Sequence, residues 1–173
     1  ILRPKRSELP ALHLLFKNSN QVDLGLSMPG DASAWPMGIV RLRMPRNAPS
    51  RSTLKLAEAF ETMLTEDERA SSLRAGLWAV DLGAAPGGWS FQFAERGLHV
   101  QAVDNGPLTD SLLATGMVQH IRADGFTWRS ERKTVEWLVC DMVEQPTRIA
   151  QLVADWTASG RAKRCIFNLK LQM

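Results

Sequence analysis

Four aspartates in this chain each follow a short apolar run: Asp81, Asp104, Asp124 and Asp141. Short, nearly continuous apolar runs are typical of strands that are buried on both faces of a parallel sheet. In an open sheet of this kind, ligands bind outside the carboxyl ends of the strands. The pattern therefore predicts four carboxylates along one edge of a sheet, where they can accept hydrogen bonds from a ligand.

A glycine-rich turn follows the first of these strands, and its residues are Gly83, Ala84, Ala85, Pro86, Gly87, Gly88 and Trp89. Three of them fit the G-x-G-x-x-G spacing of a nucleotide-binding turn, with Ala at the middle place. Asp104 lies about twenty residues further on, where an acidic residue holds the ribose diol of a nucleotide. Pro86 removes one N–H donor, which suits a compact cofactor better than a pyrophosphate.

The segment DLGAAPGGWS, residues 81–90, resembles the S-adenosylmethionine motif of the FtsJ-like ribose 2′-O-methyltransferases. The resemblance runs from about Ser50 to the end of the chain. It implies an α/β, Rossmann-like class I methyltransferase with S-adenosyl-L-methionine as cofactor and RNA as substrate. Within the family, the basic hairpin region and residues 168–171 resemble bacterial enzymes that methylate a cytidine ribose in 23S ribosomal RNA.

Enzymes of this family use a K-D-K-E tetrad, and the resemblance assigns Lys55, Asp141 and Lys170 to its first three positions. The final Glu has no counterpart, so we expect it beyond Met173. A ribose hydroxyl is a poor nucleophile until it loses its proton. Lys170 is the predicted general base, and Lys55 and Asp141 position it and the 2′-hydroxyl. The ammonium of Lys55 would favour the neutral amine that a base requires, whereas Asp141 would oppose this and orient it.

The resemblance also assigns the cofactor contacts. The backbone of residues 83–88 is expected at the methionine end, Asp104 at the ribose hydroxyls and Asp124 at the adenine amino group. Asp141 is also expected among the cofactor contacts. Ser52 is expected to bind the methionine carboxylate, and a plain helix N-cap is the alternative. Trp89 is expected either to stack near the cofactor or to belong to the core.

From residue 50 onward the sequence alternates between helix and strand patterns, which predicts a mostly parallel sheet with helices on both faces. Helices are predicted after Ser52, after a capping box at residues 65–68, and over residues 147–159. Strands are predicted over residues 77–82, 99–103, 118–123, 137–140 and 165–171, so that Lys170 lies near the end of the last one.

The first 49 residues are predicted to form an antiparallel extension rather than an independent domain. Residues 12–17 and 22–27 have the pattern of a hairpin, and residues 38–44 that of a third strand. Basic residues of the region and its border are expected to contact RNA phosphate, with a solvated surface as the alternative: Lys5, Arg6, Arg41, Arg43, Arg46 and Arg51.

The chain has 173 residues and a net charge of +3, which permits a polyanionic partner without establishing one. No apolar run approaches the ~18 residues of a membrane span. Cys140 and Cys165 are expected to be buried, reduced thiols, and the three histidines lack metal-ligand spacing.

Because the chain starts at Ile1 and not at a Met, and stops at Met173 directly after a predicted strand, we expect a piece of a larger protein, inactive or weakened by itself. That protein is expected to be a cytoplasmic monomer without metal, acting on 23S RNA before full subunit assembly.

Two other functions share parts of this pattern. An NAD-type oxidoreductase has a similar glycine turn, but its hydride transfer needs neither Lys55 nor Lys170. A non-catalytic RNA-binding or assembly module that has kept the cofactor fold is the other alternative. A comparison of the affinities for S-adenosylmethionine and for NAD distinguishes the oxidoreductase from the methyltransferase.

Overall fold

The computed structural model describes residues 9–31, 33 and 35–171. The chain divides into two compact units, Ile1–Arg43 and Met44–Met173. Lys5 and Arg6, two of the predicted RNA contacts, lie outside the described residues.

The first unit contains the predicted hairpin. Strands β1 (Ala11–Asn18) and β2 (Gln21–Ser27) pair antiparallel. The backbone N–H of Asn20 donates to the side-chain oxygen of Asn18, 2.9 Å away, which stabilises the turn. The predicted third strand over residues 38–44 is wrong, because the segment after a short 3-10 turn has no regular structure. A strand needs a hydrogen-bonded neighbour, and the described part of this unit offers none to that segment.

The second unit is an α/β structure in which a five-stranded parallel sheet has the order β5-β4-β3-β6-β7. Its strands are β3 (Trp78–Leu82), β4 (His99–Val103), β5 (Val118–Ile121), β6 (Val135–Cys140) and β7 (Ala162–Phe167). Its helices are α1 (Thr53–Met63), α2 (Glu66–Ser72), α3 (Gly88–Ala94), α4 (Asp110–Leu113) and α5 (Pro146–Ala158). From β3 the chain adds β4 and β5 on one side and then β6 and β7 on the other, so the strand order reverses between β3 and β6. A ligand crevice is expected at the carboxyl ends of these two strands.

Helices cover both faces of the sheet, as the sequence predicts. On one face Phe60 of α1 and Phe93 of α3 pack around Trp137, and all three side chains are buried. On the other face Ile149 and Trp156 of α5 belong to a second cluster. Side chains alternate along a strand, so β6 contributes to both clusters. Burial of each large side chain stabilises the unit by about 1.5–3 kcal/mol.

Two helix starts show how the sequence directs the backbone. At Thr65 the predicted capping box is confirmed: its hydroxyl accepts from the N–H of Glu68, whose carboxylate accepts from the N–H of Thr65. At Ser52 the predicted side-chain cap is absent, and the chain enters α1 through 3-10-type bonds such as Thr53 N–H to the Ser50 carbonyl. The Ser52 hydroxyl is therefore not used as a helix cap.

The last strand begins and ends earlier than predicted, because it covers Ala162–Phe167 and not residues 165–171. β7 ends at Phe167, and the N–H of Asn168 makes the last bond to β6, at the carbonyl of Cys140. Lys170 therefore lies three residues beyond the strand instead of inside its end. Leu169 and Leu171 still alternate with polar residues, but the described residues beyond Asn168 have no further ladder bonds to hold them in extended form.

Candidate active site

A carboxylate joined to two lysines lies at the carboxyl edge of the sheet. Asp141 directly follows β6, and its Oδ2 accepts from Lys55 Nζ of α1 at 3.1 Å. Its Oδ1 accepts from Lys170 Nζ and, at 2.8 Å, from the side-chain amide of Asn168. The structure thus brings together all three residues that the family resemblance assigns to catalysis. Asn168 is an additional member, which the sequence analysis noted only as part of the resembling segment 168–171 and did not assign to the site.

Asp141 is held in its ionised form. Burial alone would raise the pKa of its carboxyl group, but the hydrogen bonds from Asn168, Lys170 and Lys55 outweigh burial and lower that pKa. A carboxylate with a lowered pKa is a weak proton acceptor at neutral pH. Asp141 is therefore suited to orient the two lysines and is poorly suited to act as the base itself.

Asp104 connects two loops of the sheet edge. Its Oδ2 accepts from the N–H of Ala85 at 3.0 Å, and its Oδ1 accepts from the N–H of Gly106 at 2.7 Å. A carboxylate oxygen has more than one acceptor site, so both oxygens can still receive a hydrogen bond from a ligand. Asp104 therefore holds the glycine turn in place and faces the crevice beside it.

The larger crevice at this edge has a volume of about 390 Å³. The carboxylates of Asp104, Asp124 and Asp141 all line it, together with Gly83 and Ala85. Asp124 lies three residues after β5 and not at the end of the strand, because β5 stops at Ile121. Its Oδ1 accepts from the N–H of Phe126 at 2.9 Å, which fixes the carboxylate beside the crevice.

A smaller crevice of about 230 Å³ shares Gly83, Ala85 and Asp141 with the larger one. It is also lined by Ser52 and by Ser50, whose hydroxyl oxygens are 2.6 Å apart. Ser50 was not predicted, and its only signal in the sequence was its proximity to Ser52. The two crevices therefore adjoin each other along the sheet edge, and we call the pair the groove.

Two glycines of the turn are required by close contacts. At Gly83 the backbone has φ of +77°, and an added Cβ would lie 2.3 Å from the Cγ of Met142. At Gly88 an added Cβ would lie 2.3 Å from the Ser52 hydroxyl oxygen. The absence of side chains at these places lets the loop after β6 and the start of α1 approach the turn.

Trp89 is a core residue that also borders the smaller crevice. Its side chain is only 3% exposed and belongs to the cluster under α1 and α3. Its indole N–H donates to the carbonyl of Ser52 at 3.0 Å. This contact fixes the segment that carries the two serine hydroxyls.

A buried carboxylate completes the smaller crevice. Asp81 is 1% exposed, lies inside β3 and accepts from the Ser90 hydroxyl at 2.7 Å. Burial raises the pKa of Asp81 to about 7, although the hydrogen bonds from Ser90 oppose the shift. The sequence placed Asp81 among the strand-end acids, but did not assign it to the ligand. Its position gives the smaller crevice an acceptor for a cationic group.

The remaining predicted residues are spread over both units. Arg41 and Arg43 belong to the first unit, Arg46 and Arg51 belong to the second, and all four are exposed. Their contact with RNA remains a prediction. Cys140 is buried as predicted, whereas Cys165 is only half-buried, and both thiols are free.

In the described part of the chain, no group of His, Cys, Asp and Glu side chains has the arrangement of a metal site. No helix in the same part is long and apolar enough to cross a membrane.

The sheet order, the glycine turn and the acidic carboxyl edge define a Rossmann-like fold with a nucleotide-type crevice. Residues 48–160 match the family of FtsJ-like methyltransferases, and the chain belongs to this family.

Among curated relatives, this chain is 67% identical over 165 residues to the ribosomal RNA large subunit methyltransferase M of Aromatoleum aromaticum. That match covers 95% of this chain and 45% of the relative. The protein of the same name from Thauera aminoaromatica is 62% identical over 172 residues, covering 99% of this chain and 47% of the relative. The chain thus spans about half the length of the curated relatives it matches.

Solved structures with a similar backbone are distant in sequence. A 16S rRNA methyltransferase of T. thermophilus, in complex with AdoMet and guanosine, has a TM-score of 0.48 at 18% identity, over 95% of this chain and 42% of that one. A SAM-dependent methyltransferase of Thiobacillus denitrificans, in complex with S-adenosyl-L-homocysteine, has a TM-score of 0.41 at 16% identity, over 73% of this chain and 56% of that one.

Proposed function

We propose that residues 50–173 belong to the catalytic domain of an enzyme that methylates a ribose 2′-hydroxyl of RNA, and that residues 1–49 are an extension of it. The observation that carries this proposal is the contact of Asp141 with both Lys55 and Lys170. A hydroxyl nucleophile needs a positioned base, and this cluster supplies an amine beside a groove of nucleotide type. The curated relatives are named as ribosomal RNA methyltransferases, which supports the same reaction class.

The groove fits S-adenosyl-L-methionine, which supplies an electrophilic methyl group when it is bound. Asp104 would accept from the ribose hydroxyls and Asp124 from the adenine amino group, because both carboxylates line the larger crevice. Ser52 and its neighbour Ser50 would donate to the methionine carboxylate, and Asp81 would face the ammonium group, in the smaller crevice. Asp141 borders both crevices, which puts the lysines near their junction.

The proton of the 2′-hydroxyl goes to Lys170. In its neutral form the amine would accept that proton, so that an O–H bond breaks and an N–H bond forms. The new bond from the ribose oxygen to the methyl carbon would replace the carbon–sulfur bond of the donor, and S-adenosylhomocysteine would be the leaving group. Asp141 keeps Lys170 directed at the hydroxyl and stabilises the ammonium that results. Lys55 occupies the other carboxylate oxygen, which leaves its remaining N–H groups free to contact the hydroxyl or a neighbouring phosphate.

The proposed substrate is the large-subunit ribosomal RNA, specifically a cytidine ribose in 23S RNA. The names of the curated relatives support the ribosomal RNA. The cytidine rests on the family resemblance of the sequence. The exposed arginines at positions 41, 43, 46 and 51 would bind phosphate of an RNA that is not yet fully assembled into a subunit. The enzyme would work as a cytoplasmic monomer without a metal ion.

The decisive experiment supplies the full-length protein with labelled S-adenosylmethionine and either deproteinised ribosomal RNA or assembled large subunits. Digestion to nucleosides should place the label on the ribose of a cytidine, and deproteinised RNA should be the better substrate. A label on the base would contradict the proposed chemistry. Tight binding of NAD in place of S-adenosylmethionine would favour the oxidoreductase, and cofactor binding without methyl transfer would favour a non-catalytic RNA-binding module.

A further inference from the structure

One side of the larger crevice contains an aromatic ring that is contacted by an arginine, and this arginine also forms an ion pair. Phe126 lines the crevice, and the guanidinium carbon of Arg148 lies 4.4 Å from the centroid of its ring. Arg148 also forms an ion pair with Glu144, which itself lines the crevice. A guanidinium at this distance attracts the face of an aromatic ring electrostatically.

The position of Arg148 is unfavourable for the helix that carries it. It lies in the first turn of α5, where the helix dipole has its positive end and disfavours a cation. The helix therefore offers no reason for a cation at this place. The contacts that compensate are those with Phe126 and Glu144, and both residues belong to the crevice.

Phe126 is also tied to the carboxylate that we assign to the adenine amino group. The N–H of Phe126 donates to Oδ1 of Asp124 at 2.9 Å. The ring and the carboxylate are thus two parts of one short loop. A contact that fixes the ring also restrains the carboxylate beside it.

We propose that Arg148 is a positioning residue for the nucleoside end of the cofactor, an inference that rests on the function proposed above. Arg148 holds the Phe126 ring so that a purine can pack against it while Asp124 accepts from the amino group. The ion pair also offsets the charge of Glu144 in a crevice that three aspartates already line. Arg148 acts through Phe126 and Glu144 and touches no reacting atom.

The test measures binding by calorimetry and methyl transfer by steady-state kinetics. Arg148→Ala should weaken the binding of S-adenosylhomocysteine and of methylthioadenosine by the same factor, roughly 3- to 30-fold, because both ligands share the nucleoside. The KM for S-adenosylmethionine should rise while kcat at saturating cofactor stays unchanged. Arg148→Lys keeps a cation over the ring and should recover most of the affinity.

The matched control is Arg132→Ala. Arg132 also stacks on an aromatic ring, 3.3 Å from the centroid of Trp78, but at the opposite end of the sheet. The Arg132→Ala variant should leave the cofactor affinity unchanged. If Arg148→Ala fails to fold, Glu144→Gln serves instead and should also weaken the binding of both ligands.

Three results would overturn the inference: unchanged affinity in folded Arg148→Ala, a loss in kcat without a change in KM, or an equal loss in the Arg132 control. Failure of the wild-type protein to bind S-adenosylhomocysteine would instead contradict the cofactor placement itself.

Discussion

Lys170 reaches the carboxylate of Asp141 from a segment that lies beyond the last strand. Asn168 of the same segment donates to the same oxygen, and its N–H extends the ladder between β7 and β6. The position of the proposed base is therefore set by the end of β7 and by Asp141 together.

The first prediction concerns this base. Lys170→Ala should lower the rate of methyl transfer by about 10²–10⁴-fold while cofactor affinity stays nearly intact, because a positioned base acts on the rate. Lys170→Arg should be almost as inactive, since a guanidinium does not release its proton near neutral pH. Single-turnover assays on RNA and calorimetry with S-adenosylhomocysteine give both quantities.

Lys163→Ala is the control for the base, because Lys163 is an exposed lysine of β7 that pairs with Glu136. It should retain full activity. An active Lys170→Arg variant would show that Lys170 acts as a fixed charge and that the proton leaves by another route.

The second prediction concerns Asp104. Asp104→Ala should weaken cofactor binding by about 1–3 kcal/mol, the usual range for losing hydrogen bonds to a charged acceptor. It should also lower the melting temperature, because the N–H groups of Ala85 and Gly106 lose their acceptor. Calorimetric titration and thermal unfolding measure the two effects. Asp155→Ala, on the exposed side of α5, should change neither, and unchanged cofactor affinity for Asp104→Ala would remove this residue from the site.

The third prediction concerns the pH dependence of stability. Burial raises the pKa of Asp81 to about 7 from an ordinary value of 3.8, so between these values the folded protein binds more protons than the unfolded one. The contribution of Asp81 to the free energy of unfolding therefore falls as pH rises through this window. Asp81→Asn should stabilise the protein more at pH 8 than at pH 5, by on the order of a few kcal/mol.

Urea unfolding of both proteins at the two pH values measures this difference. Because Asn can still accept from Ser90, the substitution removes the charge with little change in packing. An equal effect at pH 5 and pH 8 would mean that Asp81 does not titrate between them.

The fourth prediction concerns the turn at Gly83. Gly83→Ala should destabilise the protein by about 1–3 kcal/mol, because the backbone has φ of +77° and the new methyl group overlaps Met142. Adding Met142→Ala should relieve the overlap and restore part of the stability, leaving the backbone strain. Gly116→Ala has a similar φ of +69° but nothing near the new methyl group, so it isolates the backbone part. Equal losses for the two single variants would refute the overlap.

The sequence by itself determined the parallel sheet, the capping box, the glycine turn and the acidic residues of the carboxyl edge. These features depend on neighbours within a few residues: apolar runs specify buried strands, and a Thr with a Glu three positions later starts a helix. The family motif then linked Lys55, Asp141 and Lys170, although their spacing alone gives no reason to connect them.

The tertiary structure decided the rest. Residues 38–44 alternate like a strand but have no paired neighbour in the described structure, and β7 stops where its ladder with β6 ends. Ser50 enters the groove because Gly88 lets the start of α1 approach the turn, and Asp81 acquires its raised pKa because the assembled sheet excludes water from it. Strand pairing and burial depend on contacts between segments that are far apart in the chain, so a local pattern of residues does not predict them.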